Sequence, residues 1–305
     1  MSNQERLSDQ KPKPENQKSK IKNLPIGIFD SGVGGLTVYR ALHEKLPNER
    51  FIYLGDTARV PYGTKSLATV ERYAIENSQF LAARGIKLLV VACNTASALA
   101  LPKIREKIGL DVVGVIGPGA RKAVAMTKNE TNAKIAVIAT EATVQSDAYA
   151  ASIRQASAKA EVMQSACPLF VPLAEEGWTL EAETFSIARK YLQKIVDFQP
   201  DALVLGCTHY PILREVIQQT VGESVTLVDS GEATAEEVAK LLQDKDLANS
   251  DLINYNRERR LCDDLDHFYV TDAAERFARV AERFLGSQPA KLEAIEIFGV
   301  DRLEN

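Results

Sequence analysis

Residues 87–95 read KLLVVACNT and residues 201–209 read DALVLGCTH. Each is a short apolar run that ends in a cysteine followed by small polar residues. Neither alternates polar with apolar, so each suits a strand covered on both faces, as in a parallel sheet. Similar runs recur at IGIF (26–29), FIYLG (51–55), VVGVIG (112–117), KIAVIA (134–139), EVMQS (161–165) and TLVD (226–229). Amphipathic stretches lie between them, such as LATVERYAIENSQFLAARG (67–85) and TFSIARKYLQKIVDF (184–198). Strand–helix alternation of this kind predicts an α/β fold of mainly parallel sheets flanked by helices.

The runs also repeat as a set. IGIF at 26 and IAVIA at 135 are 109 positions apart, FIYLG at 51 and EVMQS at 161 are 110 apart, and VVGVIGPG at 112 and SVTLVDSG at 224 are 112 apart. Cys93 and Cys207 are 114 apart. The pattern predicts two similar α/β lobes with a cysteine at an equivalent strand end in each. Open α/β sheets bind ligands beyond the carboxyl ends of their strands. Two lobes face to face then place one thiol on each side of a shared cleft.

Composition narrows the setting. The 305 residues are 45% hydrophobic and 26% charged, with a net charge of −4. That is an ordinary globular balance, with no basic excess to attract nucleic acid. No apolar run approaches the roughly 20 residues of a membrane span, so no membrane partner is expected. Residues 1–23, MSNQERLSDQKPKPENQKSKIKN, are polar, Pro-bearing and nearly free of apolar side chains. They predict a disordered N-terminal tail without the apolar stretch of an export signal. The expected location is the cytoplasm, where disulfides are rare. The four cysteines, Cys93, Cys167, Cys207 and Cys262, show no CxxC pairing. With only three histidines in the chain, no metal site is expected.

Two thiols on opposite faces of one carbon suit stereoinversion: a thiolate takes a proton and a thiol returns one to the other face. Each cysteine alone reads equally well as a small buried hydrophobe; the pair, each followed by polar residues, favours chemistry. IGIFDSGVGGLTVYRAL (26–42) puts Asp30 and Ser31 at a strand end, with glycines leading into a helix. Such a loop can present N–H groups to an anion. It lacks the Lys-Ser/Thr of a Walker loop, though a kinase-like phosphate turn stays open, as a second DSG occurs at 229–231. In LGDTARVPYGTKS (54–66), the turn at Pro61, Tyr62 and Gly63 reads as a surface turn or as one exposing its backbone and phenol to the cleft. His209, next to Thr208, orients or deprotonates Cys207, holds a carboxylate, or is structural. Glu175 and Glu176 in FVPLAEEGW (170–178) form a solvated turn, bind an ammonium or support a thiol. No lysine sits in a recognisable pyridoxal context, and the two-thiol chemistry needs no cofactor.

Taken together, FDSGVGGLTV, GDTARVPYG, VVACNTASA, TEATV, FVPLAEEG and VLGCTHYPIL closely resemble the glutamate racemase family, from about Leu24 to the C-terminus. The resemblance implies cofactor-independent interconversion of L- and D-glutamate, with D-glutamate supplied to peptidoglycan. It implies that Cys93 and Cys207 are the two proton donor/acceptors, Cys93 acting on D-glutamate and Cys207 on L-glutamate. Asp30, Ser31, Tyr62, Gly63, Asn94, Thr95, Thr208 and His209 are then substrate-binding, with Asp30 and His209 also assisting the thiols. Glu175, which directly follows VPLA, is then placed near Cys207. The family also implies a first lobe made of 24–117 plus 229–305, a second of 118–228, and a homodimer. The long N-terminus resembles that of relatives activated by UDP-N-acetylmuramoyl-L-alanine. Two positions depart from the family: Gly117 stands in GVIGPGA where an acidic residue is usual, and Ala139 precedes TEATV where glycine is usual. The rival readings are an aspartate racemase, a nucleotide-using phosphotransferase built on the DSG loops, and a non-catalytic binding module.

Overall fold

The structure, a computed structural model, describes residues 20–127, 133–249 and 259–297. It contains two parallel sheets. The first is built from β1 (Ile26–Asp30), β2 (Phe51–Gly55), β3 (Leu88–Val91), β4 (Asp111–Gly114), β9 (His267–Val270) and β10 (Leu292–Ala294), in the order β10-β9-β2-β1-β3-β4. The second is built from β5 (Lys134–Ala139), β6 (Glu161–Ala166), β7 (Ala202–Gly206) and β8 (Thr226–Asp229), in the order β6-β5-β7-β8. Every strand pair is parallel. The expected two-lobed α/β architecture is therefore the one observed.

The repeat holds strand by strand. β2-β1-β3-β4 and β6-β5-β7-β8 have the same order and direction. The central strands β1, β3 and β7 are buried along their whole length. Burying one of their Val, Leu or Ile side chains contributes about 1.5–3 kcal/mol. The more polar EVMQSA of β6 lies at a sheet edge and is nowhere fully buried. The strands β9 and β10 carry no long apolar run. HFYV spans four residues and LEA three, so the sequence patterns did not mark them. Together they extend the first sheet beyond β2.

One core joins the lobes. A single apolar cluster holds Ile28, Tyr53 and Val90 of the first sheet together with Ile138, Leu203 and Leu205 of the second. The helix Ser230–Asp244 lies against both helix Leu36–Lys45 and helix Ile116–Ala125. Asp229 caps it, accepting from the N–H groups of Gly231 and Glu232 at 2.7 and 3.4 Å. The second DSG is thus a helix cap, which removes the support it lent to a nucleotide reading.

Of the tail expected over 1–23, residues 1–19 lie outside the described residues. Residues 20–23 do not belong to a free tail: Leu24 N–H donates to Ile21 O at 3.0 Å, Lys22 Nζ reaches Asp246 at 2.6 Å, and Lys87 Nζ donates to Lys22 O at 2.7 Å. The departures from the family pattern are accommodated locally. Ala139 pairs in register with Gly206, which leaves room for its methyl. Arg121, whose guanidinium lies beside Gly117, bonds to Glu237. Among the described residues, no helix is long and apolar enough to cross a membrane.

Candidate active site

Each sheet has a crevice where the chain reverses its direction of travel across the strands: between β1 and β3 in the first, and between β5 and β7 in the second. Such crevices are where open α/β sheets bind ligands. Asp30 ends β1 and Cys93 follows β3; Thr140 follows β5 and Cys207 follows β7. The two crevices open into one cleft lined by Ser31, Tyr62, Gly63, Cys93, Asn94, Thr95, Glu175, Cys207, Thr208 and His209, with Val60, Pro61, Thr140 and Val171. Its free space, open mouth included, is about 500 Å³.

The two thiols have unlike surroundings. Cys93 is the N-cap of helix Asn94–Leu99, and its Sγ accepts from Ala96 N–H at 3.5 Å. It also lies 3.5 Å from Ser31 Oγ. Burial, and then the nearby Asp30 carboxylate, push the Cys93 thiol up to about 12; Ser31 and the Ala96 N–H only partly offset this. Cys93 therefore holds its proton at neutral pH. Asp30 sits behind the cleft wall, fully buried, with Oδ2 accepting from Gly32 N–H at 2.9 Å. Burial raises its carboxyl above the usual range, against the pull of His209 and the loop N–H groups.

Cys207 faces a histidine instead. Its Sγ is 3.9 Å from His209 Nδ1, and His209 Nε2 is 3.0 Å from Glu175 Oε1. Glu175 Oε2 is in turn 3.0 Å from Arg276. Burial works against a charged imidazole, but Cys207 and Glu175 together outweigh it and push His209 up to about 10. Burial alone would raise Glu175, yet His209, and then Arg276, hold it below its ordinary value. One thiol thus sits beside a carboxylate and keeps its proton, while the other sits beside an imidazolium. Cys167 and Cys262 are buried elsewhere, and burial pushes their thiols up to about 12 and about 11.

Polar groups lie ready around the thiols. Asn94 Oδ1 accepts from Tyr149 OH at 2.6 Å, while Asn94 Nδ2 is buried without a hydrogen-bond partner among the described residues. The hydroxyls of Thr95, Thr140 and Thr143 form a triangle across the lobes, with Oγ1–Oγ1 distances of 2.9, 3.2 and 3.0 Å. Buried donors without partners are costly and mark a place for a ligand.

The expectation of an exposed Tyr62 phenol is overturned. The ring is buried, and its hydroxyl donates to Asp56 and accepts from Asn77 Nδ2 at 3.0 Å. Asp56 is the hub: it also receives Arg59 Nε, Asn77 Nδ2 and Thr271 Oγ1. A wholly buried carboxylate needs such donors. The phenol is spent on fixing the loop; Tyr62 and Gly63 still line the cleft, at the start of the turn Tyr62–Thr64, whose first N–H groups have no partner within the turn. Gly63 is required there because a Cβ would stand 2.9 Å from Thr140 Cβ.

All eleven residues selected from the sequence fall at this cleft, ten on its wall and Asp30 behind it. Thr140 was missed, although the strand repeat carries the signal: it follows β5 as Ser31 follows β1. Arg276 was also missed. It arrives from a helix about a hundred positions distant from Glu175, and no local pattern announces the pairing.

Residues 26–238 match the family described as Asp/Glu/Hydantoin racemase. A glutamate racemase from Geobacter metallireducens is 51% identical over 263 residues, 86% of this chain and 93% of its own. The crystal structure of glutamate racemase from Francisella tularensis in complex with D-glutamate has a TM-score of 0.80 at 38% identity, covering 90% of this chain and 98% of that one. The Escherichia coli glutamate racemase, in complex with L-glutamate and the activator UDP-MurNAc-ala, has a TM-score of 0.70 at 30% identity, covering 90% of this chain and 100% of that one. The chain belongs to the Asp/Glu/hydantoin racemase family and is an amino-acid racemase. Within that family it groups with the glutamate racemases.

Proposed function

We propose that this chain inverts glutamate at Cα by a two-base mechanism without a cofactor, supplying D-glutamate for peptidoglycan in the cytoplasm. The observation that carries the reading is the pair of thiols at equivalent strand ends, facing one cleft. Cys207, as thiolate beside the His209 imidazolium, takes the Cα proton of L-glutamate. Cys93, as thiol, gives its proton to the opposite face. The products are D-glutamate, a Cys207 thiol and a Cys93 thiolate, and the reverse turn or exchange with solvent resets the pair. Charge developing on the α-carboxylate is met by Asn94 Nδ2 and the Thr95 and Thr208 hydroxyls, fixed donors of the kind that stabilise carbanion-like states. These residues adjoin the cysteines in sequence, so they hold the α-carboxylate. Ser31 and the N–H groups of Tyr62 and Gly63 line the wall beyond and take the side-chain carboxylate. The substrate ammonium supplies the positive charge that Cys93 lacks when the cleft is empty.

The F. tularensis and E. coli relatives were crystallised with D- and L-glutamate, which supports glutamate as the substrate. Activation by UDP-N-acetylmuramoyl-L-alanine and a homodimer belong to the same proposal; the E. coli relative carries that type of activator. The test is incubation with L-glutamate in D₂O without pyridoxal phosphate or ATP, followed by circular dichroism and NMR. Optical activity decays while deuterium enters Cα, and the same follows from D-glutamate. Aspartate, one methylene too short to span both carboxylate sites, reacts at least about 100-fold more slowly in kcat/KM. Inversion without deuterium at Cα would refute the mechanism.

His209 predicts a pH limit. Its folded-state pKa is raised to about 10, so the imidazolium persists through neutral pH and is lost as pH rises through that value. The rate therefore falls on the alkaline side near pH 10, and His209→Asn removes that limb while lowering kcat. A profile of kcat from pH 7 to 11 for both proteins checks this.

A further inference from the structure

One helix of the first lobe grips the Cys207 half of the site. Helix Ala274–Leu285 leaves β9, and its buried face, Phe277, Val280, Ala281 and Phe284, has the spacing of an amphipathic helix. Phe277 anchors it to the first lobe, with its ring centroid 5.9 Å from that of Tyr53. From this base three side chains cross to the second lobe. Arg276 Nη2 binds Glu175 Oε2 at 3.0 Å, Arg283 Nη1 donates to the Glu175 carbonyl at 2.6 Å, and Phe284 stands edge-on to His209 at 6.0 Å and 87°.

We infer that Arg276 is a positioning residue for the Cys207 proton transfer: it fixes the Glu175 carboxylate so that Oε1 orients His209 toward Cys207. This rests on the two-thiol mechanism proposed above. Glu175 is on a short helix, Phe170–Glu176, that ends at Gly177, and its side chain is 23% exposed. Without Arg276, one oxygen of the carboxylate is free to turn to water, and the other loses its fixed line to His209. The Arg276 side chain is itself 59% exposed. An ion pair this open adds little to stability, so its removal tests position rather than folding. Among the described residues, no arginine or lysine pairs with Asp30, the carboxylate beside Cys93, so the effect is confined to one of the two proton transfers.

The thermodynamics of a racemase supplies the readout. Enantiomers have equal free energy, so kcat/KM is the same in both directions for wild type and every variant. A loss at one thiol cannot appear as a one-directional loss. It appears in the isotope effects, because slowing one transfer makes that transfer more rate-limiting and the other less. Arg276→Ala lowers kcat/KM about threefold to fivefold in both directions, the scale of an exposed ion pair. The isotope effect on kcat/KM rises with Cα-deuterated L-glutamate, whose proton Cys207 removes, and falls with Cα-deuterated D-glutamate. Arg276→Lys, which keeps the charge, recovers part of both changes, and the melting temperature moves little in either variant. Isotope effects that stay at wild-type values, or that move together for the two enantiomers, would overturn the inference and leave only a clasp between lobes. A wild-type protein that does not exchange the Cα proton, or a Cys207→Ala variant that still racemises, overturns the mechanism beneath it and the inference with it.

Discussion

Cys207→Ala and Cys93→Ala each abolish racemisation, with kcat lowered by at least about 10³-fold, near the upper part of what a positioned acid–base group contributes. The two variants nevertheless differ in what they retain. With Cys207 gone, Cys93 still reaches the Cα proton of D-glutamate, passes it to solvent and returns a deuteron to the same face. In D₂O, Cys207→Ala therefore deuterates D-glutamate without inverting it and leaves L-glutamate untouched. Cys93→Ala does the reverse. The exchange is slower than in wild type for Cys207→Ala, because Cys93 must first lose a proton that burial and Asp30 hold up to about 12. Cys167→Ala and Cys262→Ala serve as controls. Both thiols are buried outside the cleft, so their loss costs stability and leaves inversion intact. NMR of the Cα signal with circular dichroism separates exchange from inversion. A double Cys93→Ala/Cys207→Ala variant with substantial turnover would end the two-thiol account.

How much of this was legible in the sequence depends on the range over which each feature is encoded. Cys93 and Cys207 were readable because a buried parallel strand is a short, continuous apolar run, and the residue that ends it stands at the ligand edge of the sheet. Asp30 and Ser31 were readable for the same reason. The four-strand repeat showed in the spacing, since each lobe repeats one strand order. Glu175 was separable from Glu176 only by resemblance, because both lie within one turn of a short helix and only packing decides which faces His209. The Tyr62 phenol was misjudged because its partners are set by tertiary packing: Asp56 and Asn77 bind it directly, Arg59 and Thr271 complete the shell of Asp56, and the group meets only after β2, a long helix and β9 are in register. Strands β9 and β10 and the arginines between them were hidden likewise. The contacts of Thr271, which follows β9, to Gly55 and Asp56 and of Arg276 to Glu175 span 101 to 216 positions, and no local periodicity specifies a pairing at that range.

Gly34→Ala carries the second large effect, and it separates the shape of the cleft from its chemistry. Gly34 is not one of the glycines with positive φ, so an alanine there suffers no backbone strain. The obstacle is space. A Cβ at position 34 would stand 2.3 Å from Thr208 Oγ1 and 2.5 Å from both Cε1 and Nδ1 of His209. The His209 imidazole cannot yield freely, and the backbone of Thr208 is held. His209 is 7% exposed, held at Nε2 by Glu175 and flanked by Phe284, and the Thr208 carbonyl accepts from Thr37 Oγ1 at 2.8 Å. The added methyl must therefore turn the imidazole away from Cys207 or push the two loops apart. Either movement disturbs the base that serves one enantiomer and widens the gap that the substrate must bridge. Overpacking of this kind costs about 1–3 kcal/mol of stability, while misplacing a reacting group by about 1 Å costs on the order of 100-fold in rate. The expected result is a folded protein with a modestly lowered melting temperature and a kcat reduced about 100-fold or more. Gly109→Ala, where nothing lies within 4 Å of the added methyl, leaves both unchanged. Because the methyl acts on His209, the alkaline limb near pH 10 shifts or disappears in Gly34→Ala. If kcat and that limb both persist, the contact between this glycine loop and His209 does not set the working geometry of Cys207.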